Sequence, residues 1–215
     1  MIPTVSIAND GAGPARQALE GCIAEGGVAI FPADTLYGLG CDPSSAAAIE
    51  RIHSLKGRDQ AKPSALMFFA PLAMRELLAT LGPRTREALG ALLPGAVTLV
   101  VHNPQRLYPL ACGDHPERLG VRLLEGPLGG AGCVIFQTSA NRSGEPAPSR
   151  FGEIDPEILG GADLAIDGGE LGGEPSTVVD LTALDSDGSW GVLREGVVSP
   201  DRIAASLGAS RADHP

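Results

Sequence analysis

Short apolar runs separated by glycine, proline and polar residues recur along this chain, and the last three lie too close together for helices to fit between them. Such runs, bounded by turn-forming residues, predict buried β-strands. The predicted strands span residues 28–31, 65–69, 96–101, 119–123, 133–136, 163–166, 177–181 and 192–194. Parallel neighbours need a long crossover, whereas antiparallel neighbours need only a short turn. The spacing therefore predicts a mixed sheet rather than a purely parallel one.

Helical signals fill several of the longer intervals. Proline in a first turn, a serine cap and a closing glycine mark helix ends. The predicted helices span residues 14–25, 44–55 (capped by Ser44 or Ser45), 71–81, 83–93 and 199–208. Together these elements predict the α/β class: a single domain over residues 1–208, with a twisted open mixed sheet flanked by helices. Residues 209–215 are expected to form a frayed tail.

The charge balance argues against a broad nucleic-acid-binding surface. The net charge is −10, and such surfaces need a basic footprint. A local cationic cleft is still compatible with this charge, because a concave site focuses the field of its own groups. Lys56 and Lys62 are the only lysines, and both lie near Arg58. This segment is therefore a candidate for binding an anion, although a solvated helix end would have the same composition.

Cysteine spacing and the apolar profile indicate the compartment. The four cysteines form no C-x-x-C pair or zinc-like spacing, so Cys22 and Cys133 are interpreted as small core residues. The first residues lack the features of a signal peptide, and no run is apolar enough to span a membrane. We therefore expect a cytoplasmic protein with reduced thiols and no membrane association.

Four polar motifs follow predicted strands. Residues 31–40 lead from a strand into a glycine-bearing polar segment, and Lys56-Gly57-Arg58 follows. The other motifs are Ser139-Ala140-Asn141, residues 175–180 and residues 192–196. A guanidinium and an ammonium beside small polar groups suit a polyanion such as a triphosphate. No G-x-G-x-x-G or Walker sequence is present, which argues against the common nucleotide-binding folds.

These motifs, in this order, resemble those of the YrdC/TsaC family of L-threonylcarbamoyladenylate synthases, from about Val28 to Gly196. The resemblance implies a YrdC-like open sheet around a large concave site. It also implies a nucleotidyltransferase that converts L-threonine, bicarbonate or CO2, and ATP into threonylcarbamoyl-AMP and pyrophosphate. That reaction is the first step of threonylcarbamoyl-adenosine formation in tRNA. Mg2+ would accompany ATP, no protein-ligated metal is expected, and a downstream tRNA threonylcarbamoyltransferase complex would receive the product.

The resemblance also implies a role for each site residue. The catalytic set would be Lys56, Arg58, Ser139 and Asn141. The ATP-binding set would be Lys56, Arg58, Thr98, Asn141, Ser149 and Arg194. The threonine-binding set would be Thr35, Ser139, Ser176 and His102. Direct contact with nucleic acid would be weak or absent.

Several of these residues have a purely structural alternative. Thr98 alternates along a strand and is also a good β-former. Ser149 and Ser176 follow prolines, as turn residues do. His102 is nearly as well explained as a surface histidine. Arg122 is at least as well explained by a structural ion pair as by ligand contact.

Two departures from the family pattern lie near the substrate side. Residues 123–132 are shorter than the corresponding segment of relatives and too rich in glycine for a stable helix. Met67 stands where some relatives have a histidine.

Two other functions remain open: a related carbamoyl-transfer enzyme, and a non-catalytic nucleotide- or RNA-binding paralogue. The retained Lys-x-Arg and Ser-x-Asn residues disfavour the paralogue, and the length of the chain disfavours the carbamoyl-transfer enzymes with extra domains.

Overall fold

The computed structural model describes residues 2–208, and the strands in this range form one sheet of ten strands. The strands are β1 (Thr4–Ser6), β2 (Ala29–Pro32), β3 (Tyr37–Cys41), β4 (Ala65–Phe68), β5 (Val97–His102), β6 (Arg118–Leu123), β7 (Val134–Ser139), β8 (Leu164–Asp167), β9 (Thr177–Asp180) and β10 (Gly191–Arg194). Their order across the sheet is β1-β8-β2-β3-β7-β4-β6-β5-β9-β10.

The sheet is mixed, as the spacing of the late strands predicts. β1 and β2 pair parallel to β8, β4 pairs parallel to β6, and β5 pairs parallel to β9. The pairs β2–β3, β3–β7, β4–β7, β5–β6 and β9–β10 are antiparallel. Three antiparallel pairings in a row link β2, β3, β7 and β4, and the two kinds of pairing alternate from β4 to β10.

Helices cover both faces of the sheet. They are α1 (Ile7–Asp10), α2 (Ala12–Ala24), α3 (Ala46–Lys56), α4 (Arg75–Thr80), α5 (Pro83–Leu92), α6 (Pro156–Gly161) and α7 (Pro200–Leu207), with short 3-10 turns at 71–74, 109–111 and 151–153. The helices predicted over 14–25, 44–55, 83–93 and 199–208 are confirmed to within a few residues. The helix predicted over 71–81 divides into a 3-10 turn and α4.

Two caps explain where α3 begins and ends. The Ser45 hydroxyl accepts a hydrogen bond of 3.3 Å from the Ala48 N–H, so Ser45 rather than Ser44 is the N-cap. Gly57 follows α3 with φ of 57°, in the left-handed region that glycine adopts without strain. The N–H of Arg58 then donates to the His53 carbonyl at 2.9 Å. This turn sends Lys56 and Arg58 in different directions.

The prediction of a polar loop after Pro32 is wrong, because Tyr37–Cys41 forms the central strand β3. Two glycines in this segment weaken its strand propensity. The fold nevertheless requires them: a Cβ on Gly40 would lie 2.6 Å from the Ile135 side chain, and one on Gly38 would lie 3.0 Å from the Phe31 ring. Close approach of neighbouring side chains therefore outweighs local propensity.

Alternation along the strands divides the core into two apolar layers. Ile30 packs in a layer with Ile52 of α3, Leu89 of α5 and Ile203 of α7. Its strand neighbours Ala29 and Phe31 pack in the other layer, which α2 covers through Leu19, Ile23 and Ala15. Successive side chains of a strand point to opposite faces, and both faces of β2 are buried. Both faces of β2 therefore pack against apolar layers.

The glycine-rich segment 124–132 forms a loop in the α2 layer, in agreement with the prediction that it forms no helix. Leu124, Leu128 and Ala131 are buried there, beside Met67. Arg16 of α2 donates a hydrogen bond of 2.9 Å to the Gly129 carbonyl. This loop therefore packs on α2, in the same layer as Met67.

Two expectations concern the limits of the chain. The predicted tail, residues 209–215, lies outside the described residues, and the predicted domain boundary at residue 208 stays a prediction. Within residues 2–208, no helix is both long and apolar enough to cross a membrane.

Candidate active site

A cavity of about 510 Å³ is lined by residues of β3, β4, β5, β6, β7, β9 and β10. Its wall brings together six residues that the sequence singles out, from six separate segments of the chain. They are Thr35, Arg58, Thr98, Ser139, Ser176 and Arg194. Tyr37 also lines it, and the Tyr37 hydroxyl donates to the Gly169 carbonyl at 2.8 Å. This volume suits a ligand of nucleotide size.

Arg58 faces the cavity from the turn after α3. Its Nη1 donates to the Thr138 hydroxyl at 2.7 Å, and its Nη2 donates to the Pro63 carbonyl at 2.6 Å. Both partners are neutral, and the buried Nε has no hydrogen-bond partner among the described residues. Burial lowers the pKa of Arg58 from its usual value. The guanidinium is thus fixed in place while its charge is left uncompensated.

Lys56 is not among the residues that line the cavity, although the sequence predicts that it binds phosphate. The side chain is only 4% exposed, and its ammonium lies behind the wall. It donates to the Ser139 carbonyl, to the Asn141 carbonyl at 2.5 Å and to Asn141 Oδ1 at 3.3 Å. Burial, followed by the charge of Arg58, lowers the pKa of Lys56 to about 7. Lys56 therefore links the Lys-Gly-Arg and Ser-Ala-Asn segments.

Ser139 and Asn141 differ in their position relative to the cavity, although the sequence predicts both as site residues. Ser139 lines the cavity, and its hydroxyl lies 2.5 Å from Asn141 Oδ1. Asn141 Nδ2 donates to the carbonyls of Arg142 at 2.8 Å and Glu145 at 2.6 Å. The amide is thus used by contacts within its own segment, and the ATP-binding role of Asn141 stays a prediction.

Thr98, Ser176 and Arg194 form one hydrogen-bonded group on the opposite wall. The Thr98 and Ser176 hydroxyls lie 3.2 Å apart. Arg194 Nη2 donates to the Ser176 carbonyl at 2.7 Å and to the Ser176 hydroxyl at 3.3 Å. Burial, then the charge of Arg122, lowers the pKa of Arg194. The structure therefore brings two residues of the predicted ATP-binding set, Thr98 and Arg194, together with Ser176 of the predicted threonine-binding set.

Two further arginines line the cavity, and each has a carboxylate partner. Arg122 forms an ion pair with Asp34, next to Thr35 in sequence, and its side chain is 8% exposed. Arg118 pairs with Asp180 at 2.6 Å. Sequence reasoning missed Arg118. The available signal is the alternation of Arg118, Gly120 and Arg122, because residues two apart on a strand face the same side.

Ser149 and His102 are outside this cavity, in contrast to their predicted roles. The Ser149 backbone N–H and hydroxyl both bind the Glu153 carboxylate, at 3.0 and 3.3 Å, and so order the following turn. His102 is the exposed last residue of β5 and lines a separate cavity with Thr85 and Asp185. Neither residue therefore belongs to the group that lines this cavity, and their ligand-binding roles stay predictions.

The electrostatics of the cavity distinguish two pairs of arginines. Asp34 and Asp180 neutralise Arg122 and Arg118. Arg58 and Arg194 form no ion pair within residues 2–208, and no Asp or Glu is among the described residues that line the wall. Arg58 is half-buried and Arg194 is exposed, and without a carboxylate beside them they leave the cavity positively charged. The cavity is therefore suited to a ligand that carries negative charge.

Fold and cavity together define a mixed-sheet α/β protein with an arginine-lined site for an anionic ligand. The sequence model of the Sua5/YciO/YrdC family, described as "Telomere recombination", matches residues 21–196. The chain belongs to this family. The predicted family resemblance and fold class are thus confirmed.

Individual relatives resemble most of the chain. The threonylcarbamoyl-AMP synthase of Chromohalobacter salexigens is 36% identical over 163 residues, which cover 73% of this chain and 86% of that protein. Sua5 of P. abyssi, solved in complex with L-threonine, has a TM-score of 0.83 at 27% identity, over 98% of this chain and 62% of that one. E. coli YciO has a TM-score of 0.79 at 25% identity, over 94% of this chain and 98% of that chain. This chain therefore spans less than two thirds of the length of Sua5.

Proposed function

We propose that this protein is an L-threonylcarbamoyladenylate synthase, which joins L-threonine, bicarbonate or CO2, and ATP into threonylcarbamoyl-AMP and releases pyrophosphate. One observation carries the proposal. Arg58 and Arg194, the cavity arginines without a carboxylate partner within residues 2–208, face the same space as Thr35, Ser139 and Ser176. Relatives such as the Chromohalobacter salexigens protein are named for this activity, which supports the same conclusion.

The wall provides separate regions for the two larger substrates. Arg58 and Arg194 would bind the ATP phosphates, and Thr98 would lie on the nucleotide side. Guanidinium groups bind phosphate oxygens through paired, charge-assisted hydrogen bonds. Thr35, Ser139 and Ser176 would contact L-threonine, because small hydroxyls suit an amino acid with a hydroxyl of its own.

The chemistry needs charge stabilisation more than a protein nucleophile. The threonine amine is first carboxylated, and an oxygen of the carbamate then attacks the α-phosphorus while pyrophosphate leaves. The negative charge of the transferring group and the leaving group would be stabilised by Arg58 and Arg194. Their fixed hydrogen bonds to Thr138, Pro63 and Ser176 mean that little reorganisation is needed.

Mg2+ is proposed to enter with ATP, on the phosphate oxygens. Within residues 2–208 no group of three or more His, Cys, Asp or Glu side chains could hold a metal ion. The carboxylates closest to the wall, Asp34 and Asp180, are already paired with arginines. The donor set of the cavity therefore suits the phosphates of a metal–nucleotide complex better than a bare cation, and the ion would offset phosphate charge during transfer.

The product and its destination are also part of the proposal. Threonylcarbamoyl-AMP would pass to a downstream tRNA threonylcarbamoyltransferase complex in the cytoplasm. Direct binding of tRNA would be weak, because the net charge of −10 opposes association with a polyanion.

The test is pyrophosphate release by purified protein with ATP, Mg2+, bicarbonate and L-threonine. L-valine, which is isosteric but lacks the hydroxyl, should support almost no turnover, because a site that hydrogen-bonds a hydroxyl rejects an analogue without it. Omission of bicarbonate is the control for simple ATP hydrolysis. Equal turnover with valine would contradict the threonine assignment, and release without bicarbonate would contradict carbamate formation.

A further inference from the structure

The contacts of Asn141 fix which way its amide points. Nδ2 donates to two carbonyl oxygens, those of Arg142 at 2.8 Å and Glu145 at 2.6 Å. A flipped amide would place Oδ1 against these two carbonyl oxygens, and neither side of such a contact has a proton to donate. Oδ1 is therefore the atom that faces Ser139 and Lys56.

This orientation fixes the direction of the Ser139 hydroxyl. Ser139 Oγ lies 2.5 Å from Asn141 Oδ1, and an amide oxygen is only an acceptor. The single hydroxyl proton must lie on this contact. The Ser139 oxygen, which lines the cavity, is left with lone pairs and no proton for the ligand.

Lys56 reinforces the same arrangement. In its charged form the three ammonium protons are matched by three oxygens: the Ser139 carbonyl, the Asn141 carbonyl at 2.5 Å and Asn141 Oδ1 at 3.3 Å. The Lys56 carbonyl also accepts from the Ser143 N–H at 2.8 Å. Lys56 thus holds the backbone on both sides of Ala140 and leaves no proton for a phosphate oxygen.

We propose that Lys56 and Asn141 are positioning residues that act through Ser139: they fix the Ser139 hydroxyl as a hydrogen-bond acceptor toward the substrate nitrogen. The inference rests on the proposed function for the identity of that nitrogen. Phosphate and carboxylate oxygens are themselves acceptors and gain nothing from an acceptor without a proton. The amine of L-threonine has N–H donors, and the carbamate nitrogen keeps one. Ser139 therefore selects the nitrogen end of the substrate.

Binding calorimetry on the whole protein tests this selection with two probes. L-threonine carries the amine, and 3-hydroxybutanoate of matching configuration lacks it. Ser139→Ala should weaken L-threonine binding about tenfold and leave 3-hydroxybutanoate unchanged, since one hydrogen bond is lost only where a donor exists. Asn141→Ala should have the same effect, and the double variant should lose no more. Equal weakening of both probes, or additive losses, would overturn the inference.

Kinetics with Lys56→Met separate positioning from phosphate binding. The KM for L-threonine should rise and the KM for ATP should stay near the wild-type value. The opposite pattern would mean that Lys56 binds phosphate and would overturn the proposal. Ser45→Ala is the matched control, because it removes a hydrogen bond from the other end of α3 and should change neither KM.

Neutron diffraction of the deuterated protein tests the proton position without any substrate. The Ser139 deuteron should lie on the line to Asn141 Oδ1, whereas a deuteron that points into the cavity would overturn the inference. If wild-type protein binds no L-threonine, the proposed function is wrong, and the neutron result still decides the polarity of Ser139.

Discussion

Arg194 Nη2 donates a 2.7 Å hydrogen bond to the Ser176 carbonyl, so a cation from the edge strand β10 is held against the cavity wall of the neighbouring β9. Arg122 lies close enough for its charge to lower the pKa of Arg194. Two guanidinium groups thus repel one another in the absence of a ligand. Asp34 already offsets part of the charge of Arg122, and we expect an anion that binds beside Arg194 to offset the rest and to stabilise the fold.

Replacement of Arg194 should therefore weaken the link between ATP binding and stability. At ATP about 100 times its dissociation constant, binding stabilises the wild-type protein by roughly 2.7 kcal/mol. Arg194→Ala should show a smaller thermal shift with ATP and a flatter dependence on salt, because fewer charges are screened. Arg202→Ala, which removes an equal charge from α7, is the control. Wild-type ATP binding by Arg194→Ala across a salt series would show that Arg194 only ends the strand.

The low pKa of Lys56 predicts an unusual pH dependence of stability. The folded pKa of about 7 lies below the ordinary lysine value of 10.5. Between these values the unfolded chain binds more protons than the folded chain, so the free energy of unfolding rises with pH. The slope from this one group is at most about 1.4 kcal/mol per pH unit. Below pH 7 both states are protonated and the slope disappears.

Urea unfolding from pH 6 to pH 10 measures the contribution of Lys56 as the difference in unfolding free energy between wild type and Lys56→Met. Buried cysteines such as Cys41 have raised pKa values and act in the opposite direction, but they titrate in both proteins. His53 on the same helix and the adjacent Arg58 are also common to both. Wild type should gain stability relative to the variant above pH 7, and parallel curves would contradict the low pKa.

Substitutions of Lys56 and Arg58 should differ in their effects on stability and on activity. Arg58→Ala should lower the rate of pyrophosphate release by roughly 10²-fold, the typical loss for one stabilising group at a transition state. Its unfolding free energy should fall by only about 1 kcal/mol, since two neutral partners lose a donor. Lys56→Met leaves two buried carbonyl oxygens unpaired and should destabilise the fold more, by about 1–3 kcal/mol. Equal loss of stability in both variants would contradict this division.

The fold could be predicted from sequence wherever a local pattern agrees with the tertiary contacts. The apolar run at 133–136, the serine cap of α3 and the proline at the start of α5 are of this kind, and each element is observed. β3 could not be predicted, because Gly38 and Gly40 are selected by the Phe31 and Ile135 side chains that approach them. Contacts of this kind are not visible in a local window.

The candidate site, like the fold, could be predicted only as far as local sequence patterns determine it. Residue type and order identify Arg58, Ser139, Ser176 and Arg194, which do line one cavity. The direction of a side chain is not encoded in that order: Lys56 turns toward the backbone of residues 139–141, and Asn141 uses its amide on carbonyls of its own loop. The position of Lys56 behind the cavity wall depends on the left-handed turn at Gly57. It also depends on the carbonyl oxygens of Ser139 and Asn141, which meet its ammonium only in the folded chain.

Gly196 gives the last prediction, because it lets the loop after β10 lie directly on residues 175–177. A Cβ at this position would lie 2.6 Å from the Ser176 carbonyl carbon and 2.7 Å from the Thr177 nitrogen, and would also meet the Pro175 oxygen. These are backbone atoms that pair with neighbouring strands, so they cannot move aside at low cost. Gly196→Ala should therefore destabilise the fold by about 1–3 kcal/mol, as overpacking does.

The same substitution should reach the site, because the displaced segment carries the Arg194–Ser176 contact. The Val197 N–H donates to the Pro175 carbonyl at 3.0 Å, and the Thr177 hydroxyl donates to the Val198 carbonyl at 2.7 Å. Separation of these strands should raise the KM for ATP as Arg194→Ala does, but with a loss of stability that Arg194→Ala lacks. Gly90→Ala is the control, since its Cβ enters open space on helix α5 and should stabilise by about 0.5–1 kcal/mol. Thermal unfolding and steady-state kinetics measure both effects, and a Gly196→Ala protein with wild-type stability and KM would show that this close approach does not set the position of Arg194.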